Sequence, residues 1–176
     1  MACNVFQLFL CLGQDLRKKE PFMKVSKIAL VAILLWVLTI STASWFFIHG
    51  NVTKGTDERI AVVLQSAERD AVLKEMRAML AATQGILEGI NQGNRDAIVK
   101  SAHSAGMAAA TDATPAFLAK LPLPFKTLGM GVHRQMDELA QAAQNGTPTT
   151  ELQRQLTRIL SSCVVCHAGW QLRAEN

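Results

Sequence analysis

Two thiols three residues apart, followed at once by an imidazole, restrict the fold of this 176-residue chain more than anything else in it: Cys163-Val164-Val165-Cys166-His167. Positions three and four apart share one face of a helix, so in helical form Cys163, Cys166 and His167 all turn toward one flat ligand. The C-x-x-C-H spacing is that of covalent c-type haem attachment. Two thiols add to the two vinyl groups of one haem, and the adjoining imidazole reaches the iron. The expected cofactor is therefore a single, covalently attached haem c, with Cys163, Cys166 and His167 as cofactor-binding residues and His167 as an iron ligand. The alternative is zinc held by the same three side chains. Structural zinc needs a closed set of four ligands, usually with a second paired cluster, and the sequence offers no such cluster.

The motif sits on the clearest helix in the chain. Thr147 is expected to cap it, Pro148 suits its first position, and Glu151 favours its N-terminal dipole. Leu152, Leu156, Ile159, Leu160, Cys163, Cys166, His167 and Trp170 then follow the helical period in one stripe. From Thr56 onward the rest also reads as helices, because proline is absent from Thr56 to Thr114 and Ala, Leu, Met, Gln and Glu are common. A first helix is expected from a Thr56 cap, with Asp57 and Glu58 in its first turn and a stripe through Ile60, Leu64, Ala67, Val72, Met76, Leu80, Thr83, Leu87 and Ile90. Asn91-Gln92-Gly93 breaks it, and Asn94 caps a second helix through Ile98, Ala102 and Met107. Pro115, Pro122 and Pro124 mark an irregular crossover between Asp112 and Lys126. A third helix runs from about Phe125 to Gln144 and stops at Asn145-Gly146. The expected fold class is all-α: an antiparallel four-helix bundle over residues 56–176, holding its cofactor between facing helices.

Upstream, Ile28 to Ile48 contains no charged side chain. Its 21 residues reach about 31 Å as a helix, enough to cross a bilayer core. Lys24 and Lys27 precede it, and Trp45, Phe46 and Phe47 lie at its far end as interfacial anchors. Ser41-Thr42-Ala43 offers a signal-cleavage site, but cutting there would leave Ser-Trp-Phe-Phe-Ile as an apolar N-terminus. The reading is an uncleaved single-pass anchor, with residues 1–27 a basic cytoplasmic leader and 49–55 a linker. Met23-Lys24 opens a conventional signal-like sequence, which makes residues 1–22 a candidate upstream extension. The net charge of +4 is concentrated here: residues 1–27 carry a balance of +3 and the remainder only +1. The basic excess therefore sets membrane orientation, and a nucleic-acid surface is not expected. Cys3 and Cys11 read as free thiols in a reducing compartment, with acylation of a membrane-proximal Cys the alternative. Haem is attached to C-x-x-C-H outside the bacterial cytoplasmic membrane, so the expected location is the inner membrane with the haem domain in the periplasm.

A haem motif at the C-terminal end of a four-helix domain resembles the class II c-type cytochromes, the cytochrome c′ family and its low-spin, methionine-ligated branch. The resemblance covers roughly Thr56 to Arg173 at the level of helix order. It is carried by Cys163-Val-Val-Cys166-His167, by Trp170 three residues on, by Leu121-Pro122-x-x-Phe125, and by His133 and Asp137. It implies single-electron transfer between redox protein partners, and a sixth iron ligand from a methionine of the first helix. Met76 is the first candidate, on the helix stripe, and Met79 the second; an open iron site is the third outcome, and His103 and His133 are minor candidates. The plain alternative for either Met is flexible core filling. Family members often place a basic residue directly after the aromatic, where this chain has Gln171, with Arg173 further on; Arg77 is a candidate substitute, but it reads first as a solvated helix-face Arg. The resemblance also implies homodimers formed through the first helices.

No nucleophile, Gly-rich phosphate loop or carboxylate constellation appears, so an enzyme is not expected. The reading is a membrane-anchored monohaem electron carrier. Its rivals are a five-coordinate haem protein binding nitric oxide or carbon monoxide, with Leu80 or Thr83 lining the open side, and a haem subunit of a larger membrane oxidoreductase.

Overall fold

The structure is a computed structural model, describing residues 26–110 and 114–175. Cys3, Cys11 and all the charges of the leader except Lys27 lie outside the described residues. The chain divides into two units, residues 1–39 and 40–176. Six α-helices, one 3-10 turn and three strands occur among the described residues, so the protein is mostly helical.

Helix α1 spans Lys27–His49 and starts where the Ser26 hydroxyl accepts the Ala29 amide. None of its residues is buried, and it is long and apolar enough to span a membrane or to serve as a signal sequence. Its last turn, within the second unit, is held by Lys126. That ammonium donates to Phe47 O at 2.8 Å and Leu118 O at 3.1 Å and lies 3.5 Å from the centroid of the Phe47 ring. Carbonyls at a helix C-terminus carry partial negative charge, which suits a cation there. Burial alone pulls the Lys126 pKa down.

The expected linker and first helical turns are instead a small sheet, which corrects the all-α reading. Strand β1 (Val52–Lys54) pairs antiparallel with β2 (Ile60–Leu64), and β2 pairs parallel with β3 (Trp170–Ala174), with Ile60 opposite Trp170. Thr56 therefore caps no helix; Asp57 and Glu58 lie in the turn joining β1 to β2, and Glu58 takes φ 71°. Ile60-Ala-Val-Val-Leu carries three β-branched residues, which favour an extended chain once partners are present. Ala61, Val62 and Leu64 are buried with Leu121 and Phe125. Asn51 docks this region: its amide donates to Lys120 O, its carbonyl accepts Val63 N, and its side chain donates to Val63 O.

Helix α2 begins nine residues later than expected, at Ser66 after a Gln65 cap, and runs to Gln92. Glu68 accepts the Gln65 amide at 3.0 Å, as an N-terminal carboxylate should. Gly93, left-handed at φ 65°, ends the helix. Asn94 caps α3 (Arg95–Ser104) by accepting Ala97 N at 3.1 Å. After the 3-10 turn Met107–Ala110, the region read as an irregular crossover contains helix α4 (Pro115–Lys120), capped by Thr114. Helix α5 spans Leu123–Gln144 and α6 spans Thr149–Gly169; Pro148, rather than Thr147, occupies the α6 cap.

These helices share one core. Ala82 and Ile86 of α2, Ile98 and Ala102 of α3, Val132, Met136, Leu139, Ala140 and Ala143 of α5, and Leu152, Leu156 and Ile159 of α6 are all buried together. On α6, Leu152, Leu156 and Ile159 are buried as the period dictates, but the expected stripe does not continue to the end: Cys163 and Cys166 are half-buried, His167 is exposed and Trp170 lies in β3. On α2 the inward face is rotated from the expected one: Leu80 is 71% exposed and Leu87 39% exposed. Arg95 closes the far end by donating to Thr147 O at 2.8 Å and, more weakly, to Ala143 O and Gly146 O.

Candidate functional site

Helix α6 extends past the main core, so its last turns meet the sheet, the first half of α2 and the start of α5. There the chain forms an open cleft of about 170 Å³ lined by Arg59, Leu73, Met76, Phe125, Cys166, His167, Trp170, Gln171 and Leu172. Four regions of sequence converge on it: the turn before β2, the first half of α2, the start of α5, and the α6–β3 junction. The strand β3 is what folds Trp170 back. Its ring packs edge-on against Phe125, with centroids 5.8 Å apart and planes at 78°, a favourable aromatic arrangement. The cleft is smaller than the roughly 300–1,000 Å³ of pockets that bury a ligand.

Met76 thus stands in the same cleft as Cys166 and His167. Met79 does not line it; it packs against the main core. Cys163 lies one turn before Cys166, half-buried but not among the lining residues. The two thiols form no disulfide. Burial pushes both above the ordinary thiol range, and the neighbouring Cys163 adds to the effect at Cys166. Among the described residues no three His, Cys, Asp or Glu side chains converge on a point that could hold a metal ion.

Arg59 is the lining residue that the sequence did not single out. Its guanidinium pairs with Asp57 at 2.6 Å and reaches His167 O at 3.4 Å and Trp170 O at 3.5 Å, the carbonyls that end α6. Gln171 donates to the other Asp57 oxygen at 2.9 Å. The Arg59 hydrogen bond holds the Asp57 carboxyl below its ordinary pKa. Arg59 so brings a fixed positive charge to the rim. Arg77 is exposed and does not line the cleft, as its reading as a solvated helix-face residue has it. The signal for Arg59 was absent from the sequence because it depends on the pairing of β2 with a strand 110 residues away.

The other two histidines proposed as minor ligands are engaged elsewhere. His133, 4% exposed, places Nε2 2.9 Å from Glu75 Oε1 and donates Nδ1–H to Ala105 O at 2.8 Å. Burial opposes its charge, but the Glu75 carboxylate and the Ala105 carbonyl outweigh burial and raise its pKa. His103 pairs at the surface with Asp137 at 3.2 Å, and Asp137 also accepts the Met107 amide. Comparison with protein families, with curated proteins and with solved structures finds no match for this chain.

Proposed function

We propose that the protein is a single-electron carrier with one covalently attached haem c, tethered to a membrane by α1, its haem domain a four-helix bundle formed by α2, α3, α5 and α6. The observation that carries this reading is the convergence of Met76, Cys166, His167 and Trp170 on one apolar cleft. A C-x-x-C-H motif alone specifies one side of the ligand; a thioether from a different helix supplies a candidate for the other.

The donor set fits the group. Cys163 and Cys166 would hold it by thioether bonds, each S–H adding across one vinyl double bond with no leaving group. Both thiols are free and one helical turn apart, as that requires. His167 would be the proximal ligand and Met76 the distal one. Zinc is disfavoured by the lack of a converging donor set among the described residues. When bound, the haem supplies an iron that cycles between Fe(III) and Fe(II). The chain's contribution is to set the potential: thioether coordination and the apolar wall of Leu73, Phe125, Trp170 and Leu172 favour the reduced, less charged iron. The open rim leaves an edge accessible to redox protein partners, for which no acid–base machinery is needed. With α1 as an uncleaved anchor, the location is the periplasmic face of a bacterial inner membrane.

The test is the absorption spectrum of the purified protein, oxidised, reduced, and reduced with carbon monoxide. Covalent haem, a weak near-infrared sulfur–iron band when oxidised and no response to the gas are expected. Met76→Ala should abolish the band and admit carbon monoxide, while Met79→Ala should not. A wild-type protein that is high-spin and binds the gas at once would replace electron transfer by gas binding.

A further inference from the structure

The residue before Met76 makes a connection that an apolar helix face would not. Glu75 crosses from α2 to the buried His133 of α5, and the other nitrogen of that ring donates to Ala105 O, at the end of α3. Three helices are therefore tied through one imidazole, whose two N–H groups both have acceptors.

The position of this tie matters because of what α2 lacks nearby. Its fully buried residues are Ala82, Ile86 and Gly89, all more than one turn beyond Met76. Between Ser66 and Ala82 the side chains are half-buried or exposed; Val72 and Met79 pack at the edges of the two cores, and a further polar tie, Glu68 to Lys120, lies two turns before Glu75. Apolar contacts of that kind tolerate rotation of a helix about its axis, and a Met side chain adapts to it. A hydrogen-bonded ion pair does not, since its strength falls steeply with angle and distance. Consecutive helix residues point about 100° apart, so fixing Glu75 toward His133 fixes the direction in which Met76 leaves the backbone.

We propose that Glu75 and His133 are positioning residues for Met76: their pair sets the rotation of α2 so that the thioether faces the cleft. The inference rests on the reading of Met76 as the distal iron ligand.

Full-length protein in mild detergent, as wild type, Glu75→Gln, His133→Phe and His103→Gln, would be compared by the oxidised near-infrared band and by carbon monoxide binding to the reduced form. Circular dichroism would report helix content. Glu75→Gln and His133→Phe should keep the helix content and lose part of the band. Their carbon monoxide affinity should rise on the order of tenfold, the size expected when a charge-assisted hydrogen bond is lost. His103→Gln, which removes a surface His–Asp pair between the same two helices α3 and α5, should match wild type. A Glu75→Gln protein with the wild-type band and no gas binding would overturn the proposal, and it decides alone if His133→Phe does not fold. A wild-type protein with covalent haem but no sulfur–iron band would instead overturn the Met76 assignment beneath it.

Discussion

Gly50 and Gly93 adopt almost the same backbone conformation, φ +64° and φ +65°, in opposite surroundings. A Cβ at Gly93 would meet nothing within 4 Å; one at Gly50 would lie 2.5 Å from Pro122 N, 2.6 Å from Lys120 O and 2.7 Å from Leu121 C. Either glycine replaced by alanine incurs the left-handed penalty of about 1–2 kcal/mol. Only Gly50→Ala adds overpacking, and against backbone, which cannot rotate aside; that costs typically about 1–3 kcal/mol more. Gly93→Ala should thus lose about 1–2 kcal/mol and Gly50→Ala about 2–5 kcal/mol. Urea unfolding of the full chain in mild detergent, followed by helix circular dichroism, measures both against wild type. The effect should reach the cleft, because Asn51 next door bonds to Lys120 and to β2, and β2 holds β3 with Trp170. Equal losses in the two variants would refute the argument that residues 49–55 are packed structure rather than a linker.

The rotated face of α2 predicts a second contrast: Ile86→Ala, at a fully buried site, should cost about 2–5 kcal/mol. Leu80→Ala, 71% exposed, should stay within about 0.5 kcal/mol by the same unfolding assay. The Glu68–Lys120 pair at 2.7 Å ties the start of α2 to α4. Lys120 holds the Glu68 pKa below 4.5, so the folded state binds fewer protons than the unfolded state. Its stabilisation is complete above pH 4.5 and fades as pH falls through the lowered folded value. Glu68→Gln should therefore be about 0.2–1 kcal/mol less stable than wild type at pH 7. The two proteins should converge in acid, and a gap that persists there would place the effect in packing rather than charge.

Sequence by itself determined what acts over a few residues. Asn94 and Gly93 set the α2–α3 break, because a cap side chain and a left-handed glycine satisfy or end hydrogen bonds within one turn. The α6 stripe was legible because Leu152, Leu156 and Ile159 repeat at the helical period on a helix with polar residues opposite. The C-x-x-C-H motif and Met76 were picked out from the sequence, and the fold places Met76, Cys166 and His167 on one cleft. On α2, by contrast, apolar residues occur on more than one side, so periodicity left the inward face undecided and favoured Leu80 and Leu87 over Ala82 and Ile86. Only the tertiary structure decided that Ile60–Leu64 is a strand, since its partner is Trp170–Ala174 at the other end of the chain. The same pairing put Arg59 on the cleft rim, and the packing of α5 on α2 joined His133 to Glu75. Local propensity has no access to such contacts: an extended run gains its hydrogen bonds from a distant segment, and a buried charge gains its stability from a partner that only the completed fold supplies.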